Sequence, residues 1–250
     1  MPDLLPVTAP ASQDCQVVEL RQYTTHPNQR DVLIELFDRE LVESQEAVGM
    51  RVMGQFRDLD DADRFVWLRG FADMASRAQG LQAFYSGPVW AAHSNAANPT
   101  MLDWDNVLLL KPAWPGAAVA SKPDDRAAAG SAELPPGILG ATVFSLREAA
   151  GETLLLLCRD AMTHTLRAGG AKVLGWYVTE PSANNFARLP VREGEQVLVG
   201  LAMFSDTAAL DAFAHGEAWQ RDVAPLLEPW LVGRPQALRL APTARSAIHA

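Results

Sequence analysis

Polar and apolar residues alternate from Val17 to Tyr23, with Val18, Leu20 and Gln22 facing one way and Glu19, Arg21 and Tyr23 the other. A period of two predicts a strand. After Pro27 the period lengthens, and Val32, Leu33, Leu36, Phe37 and Leu41 recur at spacings of three and four, which predicts a helix stopped at Gly49. A second strand is expected over 51–57, a polar turn over 58–63 and a third strand over 64–71. A second helix runs from about 73 to 84, is restarted at Ser86-Gly87-Pro88 with proline in its first turn, and leads to an aliphatic strand over 105–111. The order is βαββαβ.

The pattern then starts again. Residues 113–137 are rich in Pro, Ala, Gly and Ser without periodicity and read as a linker. Beyond them a strand is expected over 138–146, a helix over 152–167, a strand opened by Gly170 to Gly175, a long turn over 180–194, a strand over 196–203, a further helix, and a last strand over 236–242. Leu81, Ala83, Phe84, Gly87 and Trp90 return at identical spacing as Leu210, Ala212, Phe213, Gly216 and Trp219. Similarity at long period predicts duplicated architecture before it predicts chemistry.

A four-stranded antiparallel sheet with both helices on one face leaves its other face to be buried, and the second repeat is the natural cover. The expected fold is therefore α+β: two βαββαβ ferredoxin-like repeats packed sheet to sheet as an intrachain dimeric α/β barrel. The boundaries are a disordered leader over 1–14, a first repeat over 15–112, the linker over 113–137, a second repeat over 138–242 and a tail over 243–250.

Composition removes several function classes. A net charge of -9 argues against a surface that neutralises phosphates, so nucleic acid is not an expected partner. The aliphatic run Leu154 to Leu157 is far short of the ~20 residues of a membrane span. The first ten residues lack both a positive n-region and an apolar h-region, which makes the cytoplasm the expected location. Cys15 and Cys158 stand far apart, outside any metal-binding spacing.

Val18 to Thr24, the proline-started helix with Arg30 and Asp31, Phe65 to Phe71, and Gly87-Pro88-Val89-Trp90 with His93 together resemble the NIPSNAP family over roughly 16–112. The resemblance implies a dimeric α/β barrel, a superfamily that includes cofactor-free monooxygenases, isomerases and heme proteins. In its heme-degrading members a serine precedes the iron-ligating histidine by seven residues, the spacing of Ser86 and His93 here. The aromatic residue and the asparagine those enzymes also carry are replaced here by Ala83 or Phe84 and by Leu20 or Arg21.

The candidate catalytic residues are His93, Arg21, Arg69 and Glu19. His93 shares a helix face with Trp90 and Val89, and is read as a heme iron ligand, as a general base, or as a helix-end histidine satisfying terminal carbonyls. Glu19 and Arg21 on the first strand, with Arg69 on the third, are read either as an ion pair, Glu19 to Arg21 or to Arg69, or as an anion-binding group. His93, Ser86, Trp67, Phe71, Phe84 and Trp90 are the expected ligand or cofactor contacts, heme if any, with His93 the only metal ligand. The expected function is binding of a small apolar or aromatic molecule between sheet and helices of the first repeat, as a monooxygenase or isomerase, with or without heme. The alternative is a non-catalytic heme- or metabolite-binding or interaction protein; homodimerisation is the other partner expectation.

Overall fold

The computed structural model describes residues 15–120 and 123–250; the expected leader over 1–14 lies outside the described residues. The alternating segment forms β1 (Val17–Thr25). The helical segment forms α1 (Arg30–Leu36) and α2 (Val42–Glu46), joined through a π-helical turn over Phe37–Leu41. The hairpin β2 (Arg51–Asp58) and β3 (Arg64–Phe71) follows, then α3 (Met74–Tyr85) and α4 (Pro88–Ala97). Asp73 caps α3 by accepting from the Ser76 amide, and Pro88 stands in the first turn of α4, where its missing N–H is no loss. A short strand β4 (Met101–Asp103), not expected from the pattern, precedes β5 (Val107–Pro112).

The second half repeats the order. It comprises β6 (Ile138–Leu146), α5 (Glu152–Leu157), α6 (Thr163–Ala168), β7 (Lys172–Thr179), β8 (Gln196–Phe204), α7 (Thr207–His215), α8 (Glu217–Asp222), α9 (Ala224–Leu227) and β9 (Gln236–Pro242). Another π-helical turn, Cys158–Met162, joins α5 to α6 in the place taken by the first one between α1 and α2.

The strands of the two halves run in the same spatial order, β5-β1-β3-β2 and β9-β6-β8-β7. The expected meeting of two separate sheets is realised as one closed barrel of eight antiparallel strands, because the sheet edges pair as well as the faces. Phe56 to Asp58 of β2 lie against Pro242 to Leu240 of β9, and Leu110 to Pro112 of β5 against Thr179 to Tyr177 of β7. Edge strands carry unpaired N–H and C=O groups, and closure satisfies them. One cluster fills the interior, with Val18, Leu20, Phe56 and Leu68 from the first half meeting Leu139, Val143, Leu201 and Leu240 from the second. The helices cover the outside, and among the described residues no helix is long and apolar enough to cross a membrane.

The two segments expected to lie apart from this core are bound into it. From 113–137, Val119 enters the interior and its amide donates to the Tyr177 hydroxyl at 2.8 Å, while Arg126 forms a two-pronged pair with Glu46. From 243–250, the Thr243 amide extends the pairing to the Gln55 carbonyl, the Gln55 amide donates to Ser246 Oγ, and Arg245 pairs with Glu43. Ile248 is buried in the barrel core. A free tail would tolerate truncation of that side chain; we expect Ile248→Ala to cost about 2–5 kcal/mol in urea unfolding, as for other buried aliphatic truncations.

Candidate functional site

The outward face of β1 meets α3 and the α1–α2 helix rather than water. Glu19, Arg21, Arg69 and Arg77 all have 0% exposed side chains there. Strand pairing sets Glu19 beside Arg69 and Arg21 beside Trp67. Both expected ion pairs form on one carboxylate: Glu19 Oε2 accepts from Arg21 Nη1 at 2.7 Å and from Arg69 Nη2 at 2.6 Å. Arg77, which the sequence reading missed, reaches in from α3 and donates through Nε to Glu19 Oε1 at 2.8 Å. It is the only charged residue of that helix and shares its buried stripe with Leu81 and Phe84, the signal that would have found it.

Three guanidinium groups surround one carboxylate, so the cluster carries two positive charges in excess. Burial by itself would raise the Glu19 pKa, but Arg69, Arg21 and Arg77 outweigh it and hold the carboxyl well below its usual range. Glu19 is therefore a fixed anion and cannot exchange protons near neutral pH. Burial also opposes the charge on Arg21, yet Tyr23 and Glu19 hold it above its ordinary value. Aromatic faces disperse the remaining charge: Arg21 and Arg69 lie 5.5 and 5.0 Å from the Trp67 ring, and Arg69 lies 5.6 Å from Phe71. Gln45 accepts from Arg69 Nη1 and donates to the Leu41 carbonyl.

Over this cluster lies a recess of about 80 Å³, walled by Phe37, Trp67, Phe84, Tyr85, Trp90 and Leu189, with Tyr23, Gln45 and Asn98 as polar members. The π-helical turn brings Phe37 to within 4.7 Å of the Trp67 ring. The second half closes the recess through the loop between β7 and β8. Asn184 and Asn185 accept from Arg77 Nη1 at 3.0 and 2.7 Å, and Phe186 stacks on Tyr85 at 6.0 Å. Three buried donors of the cluster make no hydrogen bond among the described residues: Arg21 Nη2, the Trp67 indole N–H and Arg77 Nη2, the last still 2.8 Å from Glu19 Oε1; of these residues Trp67 lines the recess. Arg21 Nε donates to the Tyr23 oxygen at 2.8 Å, which leaves the Tyr23 proton free to be donated in turn. Burial pushes the Tyr23 phenol up against the opposing Arg21 charge, so it stays protonated.

Of the expected contacts, Trp67, Phe84 and Trp90 line this recess, while Glu19, Arg21 and Arg69 form the cluster beneath it without lining it. Phe71 packs beneath Arg69 without lining it. His93 and Ser86 stand elsewhere. The His93 imidazole is partly exposed, with Nε2 3.6 Å from Glu40 on the neighbouring π-helical turn, and Ser86 Oγ donates to the Gln82 carbonyl where α3 ends. A macrocycle needs a cleft in the several-hundred Å³ range of ordinary ligand pockets. The recess is far smaller and His93 does not line it, so these residues do not fit heme. Among the described residues no cluster of three His, Cys, Asp or Glu is placed to hold a metal ion.

The closed barrel with outer helices defines a class. A candidate monooxygenase from Lactobacillus acidophilus NCFM superposes with a TM-score of 0.57 at 12% identity, over 92% of this chain and 97% of its own. One from Fusobacterium nucleatum gives 0.59 at 9%, over 94% and 95%, and an anthrone oxidase-like protein gives 0.53 at 14%, over 95% and 97%. At such identities the likeness is one of fold alone: these proteins share the closed barrel with its outer helices. Residues 18–114 match the NIPSNAP family model. A search of curated proteins gave no match.

Removing the anion from among the three cations tests the electrostatic account. Glu19→Gln leaves buried arginines uncompensated, and we expect a loss of about 3–5 kcal/mol in chemical unfolding. Because the folded pKa of Glu19 lies below the unfolded one, its stabilisation is complete above about pH 4.3 and is lost as pH falls toward the folded value. The wild type should therefore lose stability below that pH by up to about 1.4 kcal/mol per unit through this group, and Glu19→Gln should lack that part of the slope.

Proposed function

We propose that the first half binds a small enolisable carbonyl compound in the recess over Trp67 and holds it as its enolate, the step that begins either an isomerisation or a cofactor-free monooxygenation. Buried donors without acceptors carry this reading. Arg21 Nη2 and the Trp67 indole N–H are desolvated and unpaired. Unmade hydrogen bonds of this kind cost about 1–3 kcal/mol each, and a ligand oxygen that accepts them recovers that energy. Two excess positive charges favour an oxygen that is anionic. Donors fixed before the charge develops are the most effective kind of electrostatic stabilisation.

The chemistry follows from what these groups can do. Arg21 and Trp67 lower the pKa of a bound carbonyl compound by favouring its enolate. The α-proton leaves to water as the compound is held as its enolate, the protonated Tyr23 hydroxyl returns a proton at another atom, and Tyr23 regains its own from water, which completes an isomerisation. Oxygenation needs dioxygen in addition, and the anthrone oxidase-like neighbour and the monooxygenase-like fold support that branch. Glu19 positions the three arginines and transfers no proton. Within this reading the halves are two ferredoxin-like units, 15–112 and 138–242, bridged by 113–137, and only the first bears the cationic cluster.

Acetylacetone serves as a probe, because its enolate has an absorption band distinct from its neutral forms. At neutral pH the protein should raise the enolate fraction and give a saturable difference spectrum. Arg21→Met and Trp67→Phe, both with native circular dichroism, should each weaken binding about tenfold, equivalent to about 1.4 kcal/mol. A folded wild type that gives no difference spectrum, or variants that bind as well as it does, would refute the proposal.

A further inference from the structure

The same strand positions that carry charge in the first half are nearly empty in the second. Pairing of β1 with β3 sets Glu19 opposite Arg69 and Arg21 opposite Trp67; pairing of β6 with β8 sets Gly140 opposite Ala202 and Thr142 opposite Gly200. Flanking pairs fix the correspondence, since Val17 meets Phe71 as Ile138 meets Phe204. Four large side chains are thus replaced by two glycines, an alanine and a threonine. The volume they vacate is a cavity of about 370 Å³ between the sheet and α7–α8. Trp176 lies flat across Gly200, where a Cβ would meet its ring at 2.5 Å, and so paves the floor. Phe213 and Trp219 form the opposite wall, edge to face at 6.0 Å.

The polar end of the cavity differs in sign from the first site. Arg239 of β9 stands beside Gly140, where β5 places Leu109 beside Glu19. Its guanidinium is paired with Asp60 at 3.0 Å and Asp211 at 3.0 Å, so two carboxylates more than neutralise it. Arg239 Nε is nevertheless buried without an acceptor, and Thr142 adds a hydroxyl to the lining. An anion is therefore disfavoured and a neutral acceptor oxygen is favoured. Loop length parallels the difference in size between this cavity and its first-half counterpart. Residues 180–195 cross to cover the first-half recess, whereas the short β2–β3 turn at 59–63 contributes only Asp60 here.

We propose that the second half holds a separate site for a neutral, flat aromatic molecule of two or three rings carrying a carbonyl or hydroxyl oxygen directed at Arg239 Nε. A cavity of about 150 Å³ accommodates one benzene ring, which sets the size. The site is independent of the enolate reading for the first half and stands or falls on its own evidence.

The neutral naphthyl ketone prodan, whose emission moves to the blue in apolar surroundings, tests this. The wild type should bind it saturably at micromolar concentration, with a blue shift and quenching of tryptophan emission. Thr142→Leu and Ala237→Phe, which fill the floor and the mouth, should each weaken binding at least tenfold. Arg239→Met should retain binding, weakened several-fold, with emission bluer still because the carbonyl loses its donor. Should a filling variant fold poorly, difference density in wild-type crystals soaked with prodan decides: density between Trp176 and Trp219 upholds the site. No binding by the folded wild type, binding unaffected by both filling variants, or density only elsewhere overturns it.

Discussion

One buried carboxylate organises the outer face of the first half. Glu19 is completely enclosed, and four surrounding elements are tied to it directly or through one intermediary: β3 by Arg69, α3 by Arg77, α2 by Gln45 on Arg69, and the β7–β8 loop by Asn184 and Asn185 on Arg77. A lone carboxylate would be far too costly there, and three arginines would repel one another without it. Together they are tolerable because nearly every lone pair and N–H of the cluster is used and the Trp67 ring lies against two of the guanidinium groups. The donors left over mark the one place where the arrangement is incomplete.

The two halves share a scaffold and diverge in what fills it. Leu81, Phe84 and Trp90 of the first half and Leu210, Phe213 and Trp219 of the second hold the helices at equivalent places, with ring contacts at 5.8 and 6.0 Å. Closure of the barrel depends on both halves, since each supplies an edge to the other. Their outer faces are freed from that duty. One is filled by charge and flanked by a long loop, leaving a small recess; the other is hollowed by small residues into a larger cavity.

Much of this architecture was legible along the chain. Periods of two and of three to four located the strands and helices, because the alternating faces of β1 both matter: Val18 and Leu20 enter the barrel while Glu19, Arg21 and Tyr23 meet the helices. The pairing of Glu19 with Arg21 and Arg69 followed from residues two apart on one strand and a neighbour across the ladder. Arg77 was hidden, since a helix period alone does not distinguish a buried cation from an exposed one. The spacing of His93 from Ser86 fits a ligand, but neither residue lines the recess: His93 lies beside Glu40 and Ser86 bonds the Gln82 carbonyl. Edge pairing, the anchoring of 243–248 and the cover supplied by 180–195 join residues distant in sequence, and no local pattern encodes them. The second-half cavity was visible only as an absence of charge on 139–145 and 197–203, which reads as ordinary core until the register shows what has been removed.

The central claim is that the Trp67 indole N–H is a buried donor awaiting a ligand oxygen. Proton–nitrogen NMR observes it directly, because each of the seven tryptophans gives its own indole signal and Trp67→Phe assigns the one that disappears. Titration with acetylacetone should move the Trp67 signal downfield, as expected when an N–H gains an acceptor, with the affinity found by absorption. A Trp67 signal that stays in place while acetylacetone binds would show that the ligand oxygen goes elsewhere and would contradict the account.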